Sequence, residues 1–65
     1  MTDLTYQEET ILQIIKESGS VDVDHLYNEV FRRRIISDKF IIKNILKRLE
    51  SFNLIKIENN RVYVV

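Results

Sequence analysis

The segment Phe40-Ile41-Ile42-Lys43-Asn44-Ile45-Leu46-Lys47-Arg48-Leu49-Glu50-Ser51-Phe52-Asn53, with Leu54-Ile55-Lys56-Ile57-Glu58-Asn59-Asn60-Arg61-Val62-Tyr63-Val64-Val65 directly after it, decides how this chain folds. The first part repeats apolar residues at helical spacing and carries a lysine every fourth residue from Lys39. The second alternates apolar and polar residues around an Asn-Asn pair. A cationic helix over Asp38–Asn53, with Ser37 as its N-cap, is therefore expected to run straight into a two-stranded hairpin. With Ile45 at the centre of the inner face and about 100° per residue, Ile41, Ile42, Ile45, Leu49 and Phe52 point inward and Leu46 lies at the margin. Lys39, Phe40, Lys43, Asn44, Lys47 and Ser51 collect on the opposite face. Asn53 follows the last apolar position, and asparagine is second to glycine in accepting a left-handed helix end.

Asn59-Asn60 suits a two-residue type I′ turn, because both positions need positive φ. That register sets Glu58 opposite Arg61, Ile57 opposite Val62, Lys56 opposite Tyr63 and Ile55 opposite Val64. Ile55, Ile57, Val62 and Val64 then face the helices. Lys56, Tyr63 and a Glu58/Arg61 pair face solvent or a ligand.

Upstream, two shorter helical patterns precede this unit. Thr5-Tyr6-Gln7-Glu8 fits a capping box, and Ile11, Leu12, Ile14, Ile15 and Ser18 follow as an inward stripe, so a first helix spans about Tyr6 to Ser18. Gly19, the one glycine, supplies its left-handed end. Ser20-Val21-Asp22 is a candidate for a small third strand beside the hairpin. Asp22 or Asp24 caps a second helix whose inward face is Val23, Leu26, Tyr27 and Val30, running to about Arg33. Arg34-Ile35-Ile36-Ser37 is then the turn into the third helix.

At 65 residues the chain is a single domain, and a chain of this size buries only about 60% of its unfolded surface. There is room for a scaffold and one surface, not for a deep catalytic pocket. No cysteine is present, so disulfides, thiolate nucleophiles and thiolate metal sites are excluded. No apolar run approaches the roughly 20 residues of a membrane-spanning helix, and the polar N-terminus lacks the basic start and apolar stretch of a signal peptide. A cytoplasmic location, no cofactor, no membrane partner and no small-molecule substrate are the expectations.

The formal net charge of zero hides a division. Residues 1–30 hold seven acids against one base, for −6, whereas residues 31–65 hold nine bases against three acids, for +6. A dipolar chain can turn one face toward a polyanion while the other repels it.

The run Ile45-Leu46-Lys47-Arg48-Leu49-Glu50-Ser51-Phe52-Asn53-Leu54-Ile55 resembles the "LxxLExxGLI" segment of winged helix-turn-helix DNA-binding regulators, of the small archaeal, archaeal-viral or MarR-like type, with Asn53 where those have glycine. The resemblance extends in element order over nearly the whole chain. It implies an α+β winged helix-turn-helix fold, three helices followed by a two-stranded β-hairpin wing, and a transcriptional regulator that lays its third helix in the major groove of double-stranded DNA and its wing on the backbone. Arg32-Arg33-Arg34-Ile35-Ile36 departs from the small residue or glycine usual in the family's turn, so either the second helix extends or the turn is longer. Many members of the family dimerise through terminal helices, and no such helix is expected here.

The candidate DNA-contacting residues follow. Lys39, Lys43 and Lys47 form a row with Asn44 beside it. Asparagine pairs bidentately with adenine, and lysine reaches guanine or phosphates. The alternative is an ordinary solvated helix face. Arg32, Arg33 and Arg34, next to Ser37, either clamp phosphates at the turn or bridge to Glu29 or the acidic first helix. Lys56, Arg61 and Tyr63 are placed to follow the backbone from the wing, unless Arg61 only pairs with Glu58 on the surface. Phe40 either tucks against Tyr27 or Phe31, or contacts a thymine methyl, or anchors a partner.

His25, alone and without convergent carboxylates, reads as a surface residue. It makes neither a metal site nor a catalytic pair, and no catalytic residue is expected. The rival to DNA binding is a winged-helix protein–protein interaction module that uses the acidic first helix or the Phe31/Phe40 surface within a larger assembly. A monomer this small covers few base pairs, so a homodimer on a two-fold related site, joined through the first helix and the Leu4/Tyr6 segment, is one expectation.

Overall fold

The computed structural model describes residues 4–65, which form three helices and a three-stranded antiparallel sheet. The order along the chain is α1 (Tyr6–Ser18), β1 (Ser20–Asp22), α2 (Val23–Arg32), α3 (Lys39–Ser51), β2 (Ile55–Glu58) and β3 (Arg61–Val64). β3 is the central strand, with β1 and β2 on its two sides. The two-stranded hairpin β2–β3 is joined by the candidate third strand Ser20-Val21-Asp22, whose Val21 pairs with Val62 and completes a sheet of three. This α+β arrangement is compatible with a winged-helix one.

Local chemistry explains most of the element boundaries. Thr5 accepts the Glu8 backbone N–H at 3.2 Å and donates its own N–H to the Glu8 carboxylate at 2.9 Å, closing the expected capping box at the start of α1. Gly19 ends α1 at φ +78°, where a β-carbon would be strained. Asp22 is the N-cap residue of α2, but its carboxylate caps nothing. The Val23 N–H is held instead by the Asn60 carbonyl at the hairpin tip, at 2.9 Å.

α2 ends in a Schellman motif, in which Arg34 N–H donates to Phe31 O and Ile35 N–H to Val30 O. Arg34 therefore occupies the left-handed position at φ +56° that glycine fills elsewhere. α3 starts one residue later than expected, because Asp38 and not Ser37 caps it. The Asp38 carboxylate accepts Phe40 N–H at 2.8 Å and adds negative charge at a helix N-terminus. The same Schellman geometry recurs at its end, with Asn53 at φ +61° as the sequence requires.

The hairpin register is the expected one in all four pairs, with Asn59 and Asn60 at φ +50° and +62°. Ile11, Ile15, Leu26, Val30, Ile42, Leu49, Ile55 and Val62 form the fully buried centre. On α3 the buried residues are Ile42, Ile45, Leu46 and Leu49, whereas Ile41 (44% exposed) and Phe52 (38% exposed) leave the core. The buried arc is rotated about 50° from Ile45 toward Leu46. The reason is the hairpin: β2 packs along α3 on the Leu46 side, so the apolar face follows the sheet and not the centre of the helix's own pattern. Ser18, placed on the inward stripe of the first helix, is exposed, and Tyr27 is half-buried.

Candidate nucleic-acid interface

α3 turns Lys39, Phe40, Lys43, Asn44, Lys47 and Ser51 outward, as its spacing predicted. Lys43 and Lys47 form no ion pair among the described residues. Glu50, which lies at the right spacing to neutralise Lys47, instead accepts the Ile57 backbone N–H at 3.1 Å and closes part of the open edge of β2. The ammonium of Lys39 lies 5.0 Å from the centre of the Tyr27 ring, a cation–π contact that braces the first turn of α3 against α2.

Between α2, α3 and the hairpin runs a groove of about 450 Å³, lined by Val23, Asp24 and Tyr27, by Lys43, Leu46, Lys47 and Glu50, and by Ile57 and Asn60. The groove brings two of the row's lysines together with the hairpin tip. Asp24 is the one carboxylate on its α2 wall.

The arginine run divides. Arg32 and Arg33 both close on Glu29, Arg33 Nε at 3.2 Å and Arg32 through a short bidentate contact. The Arg32 hydrogen bond, with Arg33 adding to it against partial desolvation, holds the Glu29 carboxyl below the usual carboxylate range and raises the Arg32 guanidinium. Of the two readings of this run, the bridge to Glu29 holds for Arg32 and Arg33. Arg34 makes no ion pair among the described residues and stands exposed at the turn.

The wing residues are not gathered with the α3 row. Ile57 and Val62 face inward, so Lys56, Arg61 and Tyr63 lie on the far face of the sheet. Lys56 pairs with Glu58 at 2.8 Å, which raises its ammonium pKa. The expected Glu58/Arg61 pair is replaced, and Arg61 reaches Ser20 Oγ at 3.4 Å. Lys56 and Arg61 both share the face of Glu58, and it is Lys56 that takes the carboxylate.

Phe40 does not tuck against Tyr27 or Phe31. It is 77% exposed and forms one wall of a shallow depression with Tyr27, Lys39 and Lys43. Leu4, expected in a dimer contact with Tyr6, packs partly against the chain's own core, which leaves Tyr6 exposed alone.

One contact lies beyond the reach of sequence spacing. Glu8, only 4% exposed, uses its second carboxylate oxygen to hold Arg48 Nε at 2.8 Å, while the Arg48 guanidinium lies over the Phe52 ring at 5.2 Å. Arg48 is thereby a strut between α1 and α3. The capping box marked Glu8, but nothing in the sequence marked Arg48 as its partner.

Among the described residues no three His, Cys, Asp or Glu side chains converge as a metal site would require, and no helix is long and apolar enough to cross a membrane. No family model, no curated protein and no solved structure matches the chain significantly.

Proposed function

We propose that the chain is a sequence-specific double-stranded DNA-binding protein of winged helix-turn-helix type, acting as a small transcriptional regulator and not as an enzyme. The observation that carries this reading is the outward face of α3, where Lys43, Asn44 and Lys47 stand together with no carboxylate paired to them. A helix of 13 residues is about 20 Å long and fits the major groove, which is about 12 Å wide. Asn44 supplies base recognition, the lysines hold phosphates, and Arg34 clamps the backbone at the turn. The hairpin tip at Asn59-Asn60 flanks the same groove, while Lys56, Arg61 and Tyr63 serve a neighbouring strand or none.

The long dimension of the molecule, 29 Å, spans at most about eight base pairs at 3.4 Å each. A homodimer on a two-fold related site extends that footprint, and sedimentation with and without duplex decides it: 7.8 kDa for the free protein and one chain per duplex in the complex rule it out.

The second reading, a protein-binding module, is favoured by the exposed Phe40 and Ile41. Gel shifts on random-sequence duplex at two salt concentrations separate the two. DNA binding weakens steeply as salt rises, because each phosphate contact releases a counterion. Asn44→Ala is expected to cost about 1–3 kcal/mol of specific binding and to spare non-specific affinity. No detectable binding at low salt overturns the proposal in favour of a protein partner.

A further inference from the structure

We infer that Phe40 reads the 5-methyl group of thymine, so that the recognised duplex carries an A·T pair about two base steps from the base that Asn44 contacts. The inference rests on the DNA reading above and names the chemistry of its target.

α3 has one orientation in the fold. Its buried side chains, Ile42, Ile45, Leu46 and Leu49, fix the direction of the core. Diametrically opposite, each within about 30°, lie Phe40, Asn44, Lys47 and Ser51. The outermost stripe of the helix is thus aromatic, amide, ammonium and hydroxyl in order, and its one apolar member stands outside the core. Phe40 is the second residue of α3, held in place by the Asp38 carboxylate on its backbone N–H, and its ring stays in solvent. Lys39 does not cover it, since its ammonium is drawn over Tyr27.

The surroundings select the occupant. A protein anchored on this ring gains from Lys43 and Lys47, which form no ion pair among the described residues, only if it brings carboxylates of its own. A polynucleotide satisfies them by its phosphates and offers apolar surface in the same place. In the major groove that apolar surface is the thymine methyl, the one hydrocarbon group on the base edges there. Four residues of helix rise about 6 Å, close to two base steps of about 3.4 Å, so Phe40 and Asn44 address neighbouring bases and not the same one. Asparagine selects adenine and phenylalanine selects the thymine methyl, so both point to A·T pairs.

The test uses duplexes selected by the wild-type protein from a random-sequence library, remade with deoxyuridine in place of thymidine and titrated by fluorescence anisotropy. The wild type is expected to bind the uracil duplex about fourfold more weakly for the contacted base, the value of one buried methyl group. Phe40→Ala is expected to bind both duplexes alike, at the weakened level, with a nearly unchanged melting curve because the ring is 77% exposed. Equal wild-type affinity for the two duplexes, while Asn44→Ala still loses specific binding, overturns the thymine inference and leaves the DNA reading standing. Unpaired strands bound more tightly than duplex in a Phe40-dependent way overturn it in favour of base stacking. No duplex binding at low salt overturns both, and Phe40 is then the anchor for a protein.

Discussion

The arginine run at the end of α2 and the lysine row on α3 are two clusters of three cations, and the structure treats them differently. Arg32 and Arg33 are both spent on Glu29, three and four residues earlier on the same helix. The row on α3 has no acid at such spacing except Glu50, and Glu50 is committed to the backbone of the hairpin. A count of cations along the chain therefore overstates what a polyanion can reach at the turn, and on α3 it holds for Lys43 and Lys47 but not for Lys39, drawn over Tyr27, or Arg48, tied to Glu8. The surviving member of the run, Arg34, is held at a backbone angle that costs an L-residue about 1 kcal/mol relative to glycine.

The comparison breaks first if charge reversal on the two clusters has equal effect. Lys43→Glu with Lys47→Glu is expected to weaken duplex binding by about a hundredfold or more at low salt and to lower the salt slope by about two units. Arg32→Ala with Arg33→Ala is expected to stay within about threefold of wild type, since those cations are already neutralised. Anisotropy titrations across a salt series measure both.

Glu29→Gln sharpens it from the other side. Releasing Arg32 and Arg33 is expected to steepen the salt slope by up to about two units and to raise non-specific affinity. An unchanged slope in this variant shows that the arginines point away from the duplex whether paired or not. Arg34→Gly separates strain from binding: relief at the left-handed position is expected to stabilise the fold by about 1 kcal/mol, about 4–8 °C in melting temperature, while the salt slope falls by about one unit.

The smallest effect is on pH dependence. The folded state holds the Glu29 carboxyl below its ordinary range, so its contribution to stability is present above the unfolded pKa of about 4.3 and is lost as pH falls through the lower folded value. Melting temperatures of wild type and Glu29→Gln are expected to differ slightly at neutral pH and to converge in acid.

What could be read from the sequence was what is decided locally. The capping box at Thr5 and Glu8, the left-handed ends at Gly19 and Asn53, and the Asn59-Asn60 turn with its four-pair register each depend on residues within a few positions of one another. The outward face of α3 was legible for the same reason. The inward face was misplaced at Ile41 and Phe52, because the packing of β2 and not the helix's own periodicity sets the buried arc. Contacts across the fold left no local mark: Glu8 with Arg48, Glu50 with the Ile57 N–H, and Arg61 with Ser20 join residues that only tertiary structure brings together. The outward face of the wing, with Lys56, Tyr63, Glu58 and Arg61 on it, is the expected one, and only its pairing changed, Glu58 taking Lys56 and Arg61 reaching Ser20.

The most direct test of the central claim is an amide ¹H–¹⁵N NMR titration of the protein with random-sequence duplex at low salt. The account predicts that the largest shifts fall on Phe40 to Lys47 and on Asn59 and Asn60, with Arg34 following and Arg32 and Arg33 barely moving. Shifts concentrated on α1, or on Phe31 and Ile35 with α3 unmoved, or no shifts at all, would contradict it.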